Sequence, residues 1–370
     1  MVTHIPLVDL VAQHREIAED LQAQLESILA RAAFVGGAEV AEFERDFARF
    51  IGAKSCIGVA NGTDALEIAL RAVGVRAGGE VLIPANTFIA TAGAVARIGA
   101  IPVPVDVDDD YLLMDPHHVA DAVTPSTQAV VPVHLFGQTA PVEQIQAALE
   151  GSDIPVVEDA AQSQGARRHG ASAGALGLAA GTSFYPGKNL GAAGDAGAVT
   201  TSDEGVARTA RLLANHGSER KYEHEIPGFN SRLDTLQAAV LTCKLRRLDR
   251  WNGARQAAAA RYDKLLADEP RLRLPRTAPG NEHVWHLYVV RVPHRDAVLS
   301  AMQERGIGAG IHYPQPVHRT AAFSHLANGR SLVVSERAAG EILSLPLYPH
   351  ITADQQQQVV DVLVGALRRA

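Results

Sequence analysis

The chain has 370 residues, 47% of them hydrophobic, and a formal net charge of -7. That is enough for two domains with buried cores, and it provides no basic field to draw in a nucleic-acid backbone. Cys56 and Cys243 are too few for a disulfide framework and suit a reducing cytoplasm; the start carries no signal-peptide pattern, and apolar runs are broken before about 18 residues, so no membrane span is expected.

In chain order, apolar residues at helical spacing predict one amphipathic helix over Gln13 to Ala32, ended by Phe34-Val35-Gly36-Gly37, and a second over Ala38 to Phe50. From Cys56 onward short apolar runs alternate with turns and helices. Strands are expected at Cys56 to Ala60, Glu80 to Ile83, Ile101 to Val105, Ala129 to Val133, Val156 to Asp159, Thr182 to Tyr185 and Ala198 to Thr201. Helices are expected around Asp64 to Val73, Ala90 to Ile98, Asp115 to Val123 and Val142 to Leu149. This alternation predicts an α/β fold, a mostly parallel sheet covered on both faces, with ligands gathered at the carboxyl ends of the strands.

A long helix from Leu233 to about Leu266, with Pro270 and Pro275 after it, reads as the bridge to a smaller α+β domain. There His283 to Val292 and Ile307 to Ile311 are expected as strands, and Arg295 to Arg305, Ser335 to Ile342 and Asp354 to Leu367 as helices. The division falls near Leu245, giving a large domain over 1–245 and a smaller one over 246–370.

The residues that carry chemistry lie at the expected strand ends. Lys188 follows one strand within Thr182-Ser183-Phe184-Tyr185-Pro186-Gly187-Lys188-Asn189-Leu190-Gly191, and Asp159 closes another 29 residues upstream. A primary amine and a carboxylate so placed are the two groups that pyridoxal phosphate needs: the amine forms an imine with its aldehyde, and the acid keeps its ring nitrogen protonated. Taken alone, each residue reads as a surface lysine or a helix cap. Small and apolar neighbours around Lys188, with Gly187, Gly191, Gly194 and Gly197, favour a ligand site and a lowered amine pKa. A nucleotide phosphate loop is excluded, because Thr182 and Asn189 stand where that motif requires Gly and Ser or Thr.

Asn61-Gly62-Thr63-Asp64-Ala65-Leu66 follows the first strand and opens a helix, so its free amides, the Thr63 hydroxyl and the hydroxyl of Ser183 suit a phosphate dianion. Phe88, in Pro84-Ala85-Asn86-Thr87-Phe88, is placed to lie over a ring; Gln162, one helical turn past Asp159, is placed to reach a ring hydroxyl. Gly228-Phe229-Asn230-Ser231-Arg232-Leu233-Asp234 and Ile311-His312-Tyr313-Pro314-Gln315-Pro316 are further polar segments. The histidines lack a metal-ligand spacing, so no metal is expected.

Together these motifs resemble the DegT/StrS family of pyridoxal-phosphate-dependent nucleotide-sugar aminotransferases, from about Ile5 to the end of the chain and in the expected order. The resemblance implies the fold type I aminotransferase architecture and a homodimer with each active site at the subunit interface. It further implies that Lys188 forms the imine, Asp159 pairs with the pyridine nitrogen, Gln162 contacts the ring hydroxyl and Phe88 stacks on the ring. Gly62, Thr63 and Ser183 would bind the phosphate, joined by Asn230 of the neighbouring chain, and Arg232, His312 and Tyr313 would lie near the sugar nucleotide.

The implied reaction is ping-pong transamination from glutamate to a nucleotide-linked keto sugar. Within the family the motifs look most like enzymes that aminate C3 of a dTDP-linked 3-keto-6-deoxy sugar, with amination at C4 of a dTDP- or UDP-linked 4-keto sugar as the alternative. Deoxygenating relatives carry histidine in place of the lysine. A catalytically silent sugar-nucleotide-binding or regulatory protein on the same fold is the alternative from another class.

Overall fold

The computed structural model describes residues 4–327 and 331–369. The alternation builds a sheet of seven strands in the spatial order β3 (Ile101–Val105), β2 (Glu80–Pro84), β4 (Thr127–Val130), β5 (Val157–Asp159), β6 (Ala179–Ser183), β7 (Gly197–Thr201) and β1 (Ser55–Val59). Parallel bridges Val130 to Val156 and Val133 to Asp159 join β4 to β5. The remaining pairs from β3 to β6 are parallel, and only β7 runs against its neighbours. The strands are short runs of Val, Ile, Ala and Gly buried on both faces, as a sheet covered by two helical layers requires.

Helix α4 (Gly62–Ala72) lies directly on β6. The approach is so close that a Cβ at Gly181 would stand 2.7 Å from the Leu66 amide nitrogen, so this strand position has to be glycine. The surrounding helices are α1 (Leu10–Arg15), α2 (Ala18–Arg31), α3 (Ala38–Ile51), α5 (Ile89–Ile98), α6 (Pro116–Ala122), α7 (Val142–Ala148) and α8 (Glu204–Ala214). The last was not anticipated, although Asp203 caps it by accepting from the Val206 amide at 2.8 Å.

Two expected helices are each broken. The one expected over Gln13 to Ala32 is α1 and α2, divided at Glu16 and Ile17. The break buries Ile17 against Val240 and Trp251 and turns Glu16 to accept from the Trp251 indole at 3.0 Å. The long bridge is α9 (Thr235–Leu245) and α10 (Leu248–Leu266), divided where Arg247 donates back to the Cys243 carbonyl at 2.9 Å. The strand expected at His283 to Val292 shortens to β8 (Tyr288–Arg291), because the amides of Val284 and Leu287 bond instead to Gly137 and Phe136. Ile307 to Ile311 forms no strand; it makes single bridges from Ile307 to Ile5 and from Gly310 to Ser344. Helices α11 (Arg295–Glu304), α12 (Val333–Glu341) and α13 (Ala353–Leu367) follow, and β9 (Ile342–Leu345), a strand not anticipated whose first residue was expected to end the α12 helix, pairs antiparallel with β8.

One apolar cluster gathers β1, β2, α4 and α5 through Val59, Leu66, Ile83 and Val95. A second gathers Tyr262, Tyr288, Val298, Leu345 and Leu363, with Ile5 reaching in from the start of the chain. A division near Leu245 remains a proposal, supported by the helix break and by these separate cores.

Asp109, after β3, ties the two parts together by accepting from Arg273, Arg291 and Arg337, each at 2.6 Å. Partial burial would raise its carboxyl, but the three guanidiniums outweigh this and hold it well below its usual range. A carboxyl depressed in the folded chain stabilises above its unfolded pKa and loses that contribution as pH falls. Asp109→Asn is therefore expected to lower the thermal midpoint at neutral pH, and the gap from wild type should narrow below about pH 4. A pH-independent gap in melting scans would contradict the ion-pair account.

Candidate active site

The carboxyl ends of β1, β2, β5 and β6 share one edge of the sheet, and the amino end of the reversed β7 lies there too, since Gly197 pairs with Val59. From this edge the chain delivers Asn61 to Thr63, Asn86 to Phe88, Asp159 and the loop bearing Lys188.

Asp159 is 8% exposed. Its main chain is pinned to the next strand, donating to the Pro132 carbonyl and accepting from the His134 amide. Burial raises its carboxyl pKa, opposed by the Thr91 hydroxyl, which donates to Oδ2 at 2.8 Å, and by the Ala161 amide, which donates to Oδ1 at 3.2 Å. The charge of Lys188 also favours the ionised form.

Behind Asp159, Glu158 and His134 are fully buried and 2.7 Å apart. Glu158 accepts from the amides of Gly174, Leu176 and Gly177, so its charge is well solvated by the protein. His134 Nδ1 accepts from the Ala140 amide at 3.0 Å. The neutral ring must then carry its proton on Nε2 and donate it to Glu158.

Lys188 is half-buried, and burial lowers its amine to about 8, the Asp159 charge opposing the shift. Its loop is held from both sides. The Asn189 side chain is buried, donates to Asn252 Oδ1 and the Val284 carbonyl, and lies 3.1 Å from His286 Nδ1. The Lys244 amine, fully buried, donates to the Gly191 carbonyl at 2.7 Å. These anchors come from α9, α10 and the segment before β8, so the loop is fixed by residues on both sides of the helix break. A lysine on so firm a loop, with its amine lowered to about 8, is suited to act as a nucleophile.

Asn61 caps α4 by accepting from the Asp64 amide at 2.8 Å, and the amides of Gly62 and Thr63 make no protein hydrogen bond among the described residues. Ser183 stands beside them: a Cβ at Gly62 would lie 2.5 Å from Ser183 Cβ and 2.9 Å from its Oγ. Gly62→Ala is expected to weaken pyridoxal phosphate binding about tenfold or more by forcing this cradle apart. An unchanged dissociation constant in a cofactor titration would remove Gly62 from the phosphate site.

Phe88 is the N-cap residue of α5 and is 51% exposed, its ring 5.2 Å from that of Tyr313. Gln162 is not one helical turn past Asp159, because the chain makes tight turns there rather than a helix. It nonetheless reaches the site, accepting from the Phe136 amide at 2.7 Å and donating to the Tyr313 hydroxyl at 2.9 Å. His312 lies 2.8 Å from Ser344 Oγ, and burial, aided by the Lys188 charge, lowers its imidazole to about 4, so it is neutral at neutral pH. The structure thus brings Lys188, Asp159, Gly62, Thr63, Ser183, Phe88, Gln162, His312 and Tyr313 to one region.

Asn230 and Arg232 stand apart. Both are exposed, while Ser231 between them is buried and bonded to Asp64 Oδ2 and the Ala60 amide. Ser231 fixes the segment beside α4 and leaves its flanking side chains exposed. Residues that sequence reasoning missed include Thr91, Asn189 as an anchor, His286 and Lys244. Thr91 had a signal, since it lies four residues after Thr87 at the start of a helix.

The groups present fit pyridoxal phosphate. A buried carboxylate whose Oδ1 has, among the described residues, one long amide contact suits a protonated ring nitrogen, and a cradle that a single Cβ would fill suits a phosphate. Asn86 Nδ2, buried without a partner among the described residues, adds a donor beside Phe88.

Residues 15–364 match the sequence profile of the DegT/DnrJ/EryC1/StrS aminotransferase family. The dTDP-3-amino-3,4,6-trideoxy-alpha-D-glucose transaminase of Micromonospora megalomicea subsp. nigra is 45% identical over 361 residues, covering 96% of each chain. The erythromycin biosynthesis sensory transduction protein EryC1 of Saccharopolyspora erythraea is 44% identical over 360 residues, covering 97% of this chain and 98% of that one. Among solved structures, S. venezuelae DesV in complex with a ketimine intermediate has a TM-score of 0.96 at 42% identity, covering 99% of both chains.

Proposed function

Because the chain belongs to the DegT/DnrJ/EryC1/StrS aminotransferase family, we propose that it moves an amino group from glutamate to C3 of a dTDP-linked 3-keto-6-deoxyhexose, using pyridoxal phosphate in sites completed by a second copy of the chain. The observation that carries this reading is the convergence of the Lys188 amine and the buried Asp159 carboxylate at the ends of neighbouring strands. The choice of C3 is supported by the name of the Micromonospora relative.

When bound, the cofactor supplies an aldehyde that condenses with primary amines and a ring that takes up the electron pair of the bond broken beside that link. The protein supplies position and protons. Asp159 would hold the ring nitrogen protonated. Gly62, Thr63 and Ser183, with Asn230 of the second copy, would hold the phosphate; Phe88 would cover the ring face and Gln162 would bond the ring hydroxyl.

Lys188 releases its proton near neutral pH and can carry one between the donor's α-carbon and the cofactor. His312, neutral, and Tyr313, whose hydroxyl is kept protonated by burial and by the Asp159 charge, are polar groups suited to a sugar. The exposed Arg232 is suited to the diphosphate of a substrate at the second copy's site.

The name of the Saccharopolyspora relative favours a second reading, a regulatory protein on the same fold. The half-reaction separates the two. Addition of glutamate to cofactor-loaded protein is expected to remove the absorbance of the lysine-bound cofactor, and no change would exclude a transaminase. Incubation of the aminated protein with dTDP-keto sugars, followed by NMR, is expected to place the new nitrogen on C3; nitrogen on C4 would overturn that choice.

A further inference from the structure

Thr87 and Thr91 lie one turn apart where β2 passes into α5, both almost fully buried, with their hydroxyl oxygens 2.8 Å apart. Thr91 Oγ1 is also 2.8 Å from Asp159 Oδ2. The direction of this chain of bonds is settled by donor capacity. An ionised carboxylate only accepts, so the single Thr91 proton goes to Asp159, and the Thr91 oxygen accepts from Thr87.

Thr91 is the sole side chain that donates to Asp159 among the described residues. A helical threonine ordinarily turns its hydroxyl back to a carbonyl one turn earlier. Here it is spent on the acid, and the bond engages one carboxylate oxygen while leaving the other with only a long amide contact.

We propose that Thr91, polarised by Thr87, is a positioning residue that keeps the proton shared between Asp159 and the cofactor on the ring nitrogen. The inference rests on the cofactor assignment above. A donor to the carboxylate makes it a weaker base, and a donor that itself accepts a hydrogen bond is a stronger donor. Without the hydroxyl pair, a buried carboxylate draws the shared proton to itself, and the ring loses the positive charge that lets it accept electrons. The same bond orients the acid, because with Oδ2 held by α5 the carboxylate plane cannot swing away.

The test uses the full-length, cofactor-loaded protein with a ring nitrogen labelled for NMR. Thr91→Val, which keeps the shape and removes the hydroxyl, is expected to move the ring-nitrogen resonance toward that of unprotonated pyridine and to slow the glutamate half-reaction about tenfold. Thr91→Ser should restore both, and Thr87→Val should move both in the same direction by less. A resonance unchanged in Thr91→Val overturns the inference, as does a Ser variant as impaired as Val, since the methyl would then be what matters. Should Thr91→Val fail to take up cofactor, Thr87→Val and Thr91→Ser decide: an unshifted resonance in Thr87→Val contradicts the relay. Wild-type protein that binds no cofactor would instead refute the assignment on which the inference stands.

Discussion

Lys188→Ala is expected to bind pyridoxal phosphate noncovalently and to lose amino-group transfer by several orders of magnitude. The proposed phosphate cradle, Phe88 and Asp159 do not depend on the amine, so the cofactor would keep the other contacts proposed for it. What is lost is the covalent link and the proton carrier at the reacting carbon. Lys244 is a natural control. It too is buried and lowered to about 8, yet its amine is committed to the Gly191 carbonyl. Absorbance of the loaded variant and its rate with glutamate check the prediction, and wild-type turnover in Lys188→Ala would exclude this lysine.

Asp159→Asn should reduce turnover roughly a thousandfold while leaving the fold intact, or slightly stabilised, in the absence of cofactor. An asparagine accepts from Thr91 as the carboxylate does and does not bury a charge. Without an anion there the ring nitrogen would lack the partner proposed to keep it protonated, and the ring would be a poorer electron acceptor. The loss would appear in the half-reaction rather than in the melting curve. If the variant is fully active, Asp159 is a structural acid. A variant that is inactive because it melts far below wild type would equally remove the catalytic argument.

The sheet and its candidate site edge were legible because short Val- and Ala-rich runs alternate with capped helices, and because Asp159 closes one of those runs and Lys188 follows another. Breaks at Ile17 and Arg246 were not legible. Both interrupt sequences whose apolar spacing continues without a gap, and the turns are imposed by burial of Ile17 and by Arg247 bonding back to Cys243. Ile307 to Ile311 has the composition of a strand but makes only isolated bridges, one to the chain's first residues, a pairing no local pattern announces.

In the candidate site, the sequence named the motif residues but not the residues that support them. Asn189 read as a motif residue that also spoils a nucleotide loop, yet its side chain fastens the Lys188 loop to α10 and to the segment before β8. Thr91 read as part of a helix start, and its bond to a residue 68 positions away emerges only when the start of α5 meets the end of β5.

Reduction of the cofactor-loaded protein with borohydride, followed by peptide mass mapping, tests the central claim most directly. The account predicts one pyridoxyl group on the peptide containing Lys188. A group on a peptide carrying Lys54, Lys221, Lys244 or Lys264, or on none, would contradict it.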